Sequence, residues 1–158
     1  MRLTSYTDYA LRTLMYLALN RERLSTIGDI AGAHGIAKNH LTKVVHQLGI
    51  LGFVETVRGR SGGLRLGREP GDIRLGDVVR HTETDFYMAS CFDESSPGCM
   101  YAPGCELKGV LGKATKAFLD VLDGVTLAQM VAADPRAGVV PGEAQAKPVQ
   151  LRFKREAA

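Results

Sequence analysis

Cysteine is nearly absent from this chain. Only Cys91, Cys99 and Cys105 occur in 158 residues, with none in the first 90 positions and none after 105. That excludes the scattered buried cysteines of an ordinary core, and an odd number leaves one thiol over in any disulfide pairing. No apolar run approaches the length of a membrane span, so no membrane partner is expected. The opening residues, Met1-Arg2-Leu3-Thr4-Ser5, turn polar at once without the apolar stretch of a secretion signal. The expectation is a cytoplasmic, reducing compartment, which favours metal binding over disulfides. No G-x-x-x-x-G-K-[ST] pattern is present, and the glycines near 59–63 join two strands rather than a strand and a helix, which excludes a phosphate-cradling nucleotide loop. The four histidines, His34, His40, His46 and His81, all lie outside the cysteine segment. No Ser/His/Asp order suggests a hydrolase, so an enzyme is not expected.

Positive charge is also missing where the cysteines lie. Residues 82–106 hold no Lys or Arg and 5 Asp or Glu, whereas residues 1–81 hold 12 basic and 7 acidic residues. A basic N-terminal part suits a polyanion, and an acidic cysteine segment does not. Binding and sensing are therefore expected on different parts of the chain.

The periodicity gives the N-terminal part a definite order. Ala10, Leu14, Leu17 and Ala18 predict a helix over 6–19, opened by the capping-box-like pair Ser5 and Asp8. Thr26 and Asp29 cap a second helix over about 27–34, which Gly35 ends. Leu41, Val44, Val45 and Leu48 predict a third over about 38–50. Phe53 to Val57 reads as a strand, Arg58 to Gly63 as a turn, and Leu64 to Leu66 as a return strand. Three helices and a basic hairpin are the order of a winged helix-turn-helix domain.

With its apolar stripe facing the core, the third helix turns Asn39, Lys43 and His46 outward at about 100° per residue, flanked by Lys38 and His40. These residue types suit base edges and phosphates in double-stranded DNA, though charged helix faces are more often merely solvated. The hairpin tip adds Arg58, Arg60 and Ser61, with glycines that let the backbone approach a phosphate.

Beyond the wing, a short helix is predicted from Ile73 to Arg80, with Leu75, Val78 and Val79 inward. Residues 82–105 show no period. Leu107, Leu111, Ala114, Phe118 and Val121 then recur at spacings of 4, 3, 4 and 3, with Val110, Ala117 and Leu122 broadening the face. That is a heptad seam needing a cover, supplied by the N-terminal helices, a second copy, or both. A last helical turn or two is expected over Thr126 to Ala133. The proline-bearing tail from 134 to 158 is expected to lack order, apart from a strand-like stretch at Val149 to Phe153. The fold class expected is mainly α with a small β wing. Its parts are a DNA-binding domain over 1–81, a cysteine loop over 82–106, a dimerisation helix and short helix over 107–133, and a tail over 134–158.

Glycine and proline surround the three cysteines in a Cys-x7-Cys-x5-Cys run. Such a segment is either a surface loop with incidental cysteines or one that gathers three thiolates around a metal or iron–sulfur centre. The spacing is not the Cys-x2-Cys of a zinc ribbon, and a four-coordinate centre would need one more ligand. Asp8 carries two readings. It is a helix-start carboxylate able to pair with Arg12, or it is that further ligand.

The run Met1 to Arg12, the wing Val57-Arg58-Gly59-Arg60-Ser61-Gly62-Gly63, the segment Thr84-Asp85-Phe86-Tyr87 and the cysteine triplet together resemble the NsrR family. These are nitric-oxide-sensing bacterial transcription repressors related to the iron–sulfur regulator IscR, and the resemblance covers about residues 1–132. It implies a homodimer that releases operator DNA when nitric oxide attacks its cluster. It further implies an iron–sulfur cluster in each subunit, [4Fe–4S] rather than [2Fe–2S], held by Cys91, Cys99 and Cys105 with Asp8 reaching across from the partner. IscR-like chains carry a histidine three residues after the third cysteine. Here that position is Lys108, which argues against IscR-type ligation. The alternatives are an IscR-like sensor of iron or cluster status and, from another class, a zinc-stabilised protein-interaction module.

Overall fold

The computed structural model describes residues 2–93, 99, 101 and 104–132. Six helices, α1 (Ser5–Leu19), α2 (Ile27–His34), α3 (Lys38–Ile50), α4 (Leu75–Thr82), α5 (Glu106–Asp123) and α6 (Leu127–Ala132), accompany one antiparallel hairpin, β1 (Val54–Val57) and β2 (Gly63–Leu66). The expected mainly α architecture with a β wing is what forms. The region beyond 132, with the expected strand at Val149 to Phe153, lies outside the described residues.

α1 is the centre of the packing. Ala10, Leu14, Leu17 and Ala18 line its inner face, and α2, α3, α4, α6 and β2 all pack against the helix. Its N-cap is Thr4, one residue before the expected Ser5, because the Thr4 hydroxyl accepts the Thr7 N–H. α2 starts as its sequence suggests, with Thr26 and Asp29 in a reciprocal capping box, and Gly35 ends it in the left-handed region. The Asp29 carboxyl is held below its ordinary pKa chiefly by the Thr26 backbone N–H.

The wing is tied to the helices by Ser25, which exchanges backbone hydrogen bonds with Leu64 at 3.0 and 2.7 Å. Val54 faces Leu66 and Val57 faces Gly63 across the hairpin. The turn needs glycine twice. Gly59 has φ 116, and a Cβ on Gly62 would run into the Val57 carbonyl and the backbone of Arg58 and Gly59.

α4 begins at Leu75 rather than Ile73, after a 3-10 turn over Pro70–Asp72 that periodicity did not show. Ile73 is fully buried ahead of the helix, and its carbonyl accepts the Leu127 N–H at 2.8 Å. The Leu75 N–H donates in turn to Val125 at 3.0 Å. Arg80 reinforces this clasp with two bonds to the Asp123 carboxylate, one of 2.7 Å. These bonds are the chief reason that the Asp123 carboxyl lies below its ordinary pKa. Through the clasp, Leu127 of α6 enters the same core as α1.

α5 has no buried residue. Its expected seam divides into two faces. Leu111, Phe118 and Leu122 are partly covered, while Leu107, Val110, Ala114, Ala117 and Val121 form the solvent-facing stripe. The exposed set also alternates three and four residues apart, so either phase satisfies the sequence pattern. Packing on α4 decides between them.

The contrast between two glycines tests the wing geometry. Gly62→Ala should lower stability by about 1–3 kcal/mol through backbone overlap. Gly71→Ala, where nothing lies within 4 Å of the added carbon, should stay within about 0.5 kcal/mol of wild type. Urea unfolding of both variants provides the check.

Candidate nucleic-acid interface and metal centre

The apolar commitment of α3 sets what it presents outward. Leu41, Val44, Val45 and Leu48 are buried, which leaves Lys38, Asn39, His40, Lys43 and His46 all exposed. Ala37 precedes the helix and makes no side-chain cap, which leaves the positive end of the helix beside Lys38, an arrangement favourable to a phosphate. Arg58, Arg60 and Ser61 are exposed at the wing tip.

Charge pairing distinguishes these cations from five arginines of the same chain. Arg12, Arg21, Arg23, Arg65 and Arg80 each hold a carboxylate of the same chain. Lys38, Lys43, Arg58 and Arg60 hold none among the described residues. Neutralised arginines contribute little to attracting a polyanion, whereas four unpaired cations on one helix and one hairpin contribute directly.

Two tyrosines of α1 position the recognition helix. The Tyr6 hydroxyl donates to the Lys43 carbonyl at 3.4 Å, and burial pushes its pKa up. The Tyr9 ring stacks on His40 with centroids 6.2 Å apart and planes 19° apart. Sequence reasoning missed this role for Tyr6 and Tyr9, because the contact spans more than thirty positions and leaves no periodic trace. Thr42, also exposed on α3, donates its hydroxyl back to the Lys38 carbonyl at 2.9 Å.

The three cysteines are all free thiols. Cys91 is half-buried within a 3-10 turn over Ser90–Phe92, and Cys99 is exposed. Cys105 is half-buried at the N-cap of α5, where its side chain makes no capping bond. The Lys108 ammonium lies 5.8 Å from the Phe92 ring centroid, which joins the turn carrying Cys91 to the first turn of α5. Asp8 instead pairs with Arg12 at 3.0 Å. Among the described residues, no three of His, Cys, Asp or Glu come together closely enough to hold a metal. The donor set, three accessible thiols and a surface carboxylate, nonetheless has the chemistry of a soft-metal or iron–sulfur ligand group.

A short helix pair, an outward recognition helix and a basic hairpin define a winged helix-turn-helix DNA-binding regulator. Residues 3–133 match the Rrf2 family, described as iron-dependent transcriptional regulators, and the chain belongs to that family. It is 52% identical over 132 residues to the HTH-type transcriptional regulator NsrR of Bacillus licheniformis, covering 83% of this chain and 92% of the relative. The NsrR of Bacillus subtilis is 53% identical over 132 residues, 83% of this chain and 90% of the relative. Among solved structures, T. potens IscR superimposes with a TM-score of 0.71 at 27% identity, over 90% of this chain and 94% of that one. These relatives are regulators and not enzymes, as is this chain. No helix among the described residues is long and apolar enough to cross a membrane.

Lys43→Ala and Arg60→Ala test the interface. A lost phosphate contact should weaken binding to all duplexes and lower the salt slope by about 1 per subunit. A lost base contact should cost about 1–3 kcal/mol per half-site on the preferred sequence alone. Salt-dependent titrations on specific and random duplexes distinguish these outcomes. Unchanged affinity in both variants would overturn the interface.

Proposed function

We propose that the chain is a homodimeric repressor that binds double-stranded operator DNA and releases it in response to nitric oxide. In this reading Cys91, Cys99 and Cys105 hold an iron–sulfur cluster, [4Fe–4S] rather than [2Fe–2S], with Asp8 of the partner subunit completing the ligand set. When bound, the cluster supplies iron reactive toward a small neutral diatomic, most open where a harder carboxylate replaces a thiolate. The observation that carries the reading is the donor set itself. Every thiol of the chain lies on the segment joining the DNA-binding helices to α5, and among the described residues no three of His, Cys, Asp or Glu gather within one chain.

The chain's own residues supply the remaining steps. The exposed stripe of Leu107, Val110, Ala114, Ala117 and Val121 buries against a second copy, which brings two DNA-binding heads together. To reach the partner, Asp8 exchanges its exposed contact with Arg12, a pair worth only about 0.2–0.5 kcal/mol. Asp8 lies on α1, so its attachment fixes the angle of a whole head. Dimeric readers need their recognition helices about 34 Å apart, one DNA turn, and release of Asp8 relaxes that spacing. The division of labour proposed is a DNA-binding domain over 1–81, a cluster loop over 82–106, a dimerisation region over 107–133 and a tail over 134–158. An IscR-like ligand set is less well supported, since Lys108 stands where those proteins carry histidine and lies over Phe92.

An anaerobic absorption spectrum before and after nitric oxide tests the reading, and colourless zinc-containing protein would overturn it. Alanine at any one of the three cysteines should abolish stable iron and sulfide binding. Asp8→Asn should keep colour, alter the nitric oxide reaction and weaken operator binding. A wild-type spectrum, nitric oxide response and DNA affinity in Asp8→Asn would leave Asp8 as only a partner of Arg12.

A further inference from the structure

α1 begins with half a capping box. The Thr4 hydroxyl accepts the Thr7 N–H at 3.3 Å. The reciprocal acceptor for the N-cap N–H normally comes from Glu or Gln three residues on. Here that residue is Thr7, whose hydroxyl donates to Thr82 at 2.9 Å in a buried contact and lies 3.2 Å from the Thr4 hydroxyl rather than on the Thr4 N–H. Glu83 supplies the missing acceptor from 79 residues away. Its Oε1 takes the Thr4 N–H at 2.8 Å and the Thr4 hydroxyl at 3.0 Å.

Two successive residues, Thr82 and Glu83, thus hold the start of α1. Thr82 ends α4, where its hydroxyl donates to Val78 at 2.8 Å. Glu83 is the first residue of the stretch that runs on to Cys91. Two residues later the Asp85 carboxylate accepts the Tyr87 N–H at 3.0 Å, a local turn within that stretch. On the other side of Thr4, Tyr6 reaches the Lys43 backbone and Tyr9 stacks on His40. An unbroken set of contacts therefore runs from the head of the cysteine segment, through the cap of α1, to the outward face of α3.

We propose that Glu83 is a positioning residue for DNA binding, a cap through which the pose of the cysteine segment is imposed on α1 and on the recognition helix. The proposal rests on the reading of the chain as a cluster-controlled DNA binder. A cap supplied within one helix would be indifferent to the cysteine segment. A cap supplied by Glu83 breaks whenever that segment shifts, and α1 then loses the acceptor for its Thr4 N–H.

The test uses the full chain with Glu83→Ala and Glu83→Gln, prepared anaerobically with and without the cluster. The quantity read is the ratio of operator affinities between the two forms. Glu83→Ala should lower that ratio about five- to tenfold. Glu83→Gln, which keeps a side-chain oxygen acceptor, should retain most of it. Visible absorption and iron content should be unchanged in both. In cluster-free protein, amide exchange at Thr4 and Thr7 should quicken in Glu83→Ala. Should that variant not fold, Glu83→Asp withdraws the oxygen by one methylene and should give an intermediate ratio. A purely structural Glu83 would lower the melting temperature and both affinities together while leaving the ratio at its wild-type value, and that result overturns the proposal alone. A wild-type ratio of one would overturn the functional reading, and this proposal with it.

Discussion

The burial of one face of α1 is the constraint on which the other elements depend. Ala10 and Leu14 are wholly inaccessible and Leu17 nearly so, and each large apolar side chain removed from water contributes about 1.5–3 kcal/mol. α3 can reach that face only with Leu41, Val44, Val45 and Leu48, and its polar residues are thereby directed to solvent. α4 and α6 complete the same core with Val78 and Leu127. Because Asp8, Tyr6 and Tyr9 also belong to α1, the helix that organises the core carries the groups linking a proposed cluster to the proposed DNA contacts.

Electrostatics follows from this arrangement. Several carboxylates are paired with arginines that lie outside α3 and the hairpin tip. Asp8 takes Arg12, Glu69 takes Arg21, Glu55 takes Arg65, and Asp123 takes Arg80. Among the described residues, Lys38 and Lys43 on α3 and Arg58 and Arg60 at the hairpin tip hold no carboxylate. The modest net charge of +3 conceals this, since a net charge counts paired and unpaired groups alike.

The helix boundaries near the N-terminus were readable because local chemistry sets them. Thr26, Asp29 and Gly35 bound α2 through contacts within a few residues, and the periodicity of α3 matched the observed helix from end to end. Errors arose where a choice was not local. Thr4 rather than Ser5 caps α1, and the cap is completed by Glu83 from the far side of the domain. The heptad pattern of α5 admitted two faces, and the clasp of Asp123 with Arg80 and Arg74 chose which one lies against α4.

By itself the sequence determined the class of protein: three helices and a basic, glycine-rich wing, with all its thiols in one acidic segment. Those features depend on residue type and short spacing, and both are written along the chain. Only the tertiary structure decided which cations stay unpaired, which stripe of α5 is left open, and that Asp8 lies with Arg12 rather than among the cysteines of its own chain. Each of those outcomes depends on groups distant in sequence meeting in space, and a linear spacing rule carries no distance of that kind.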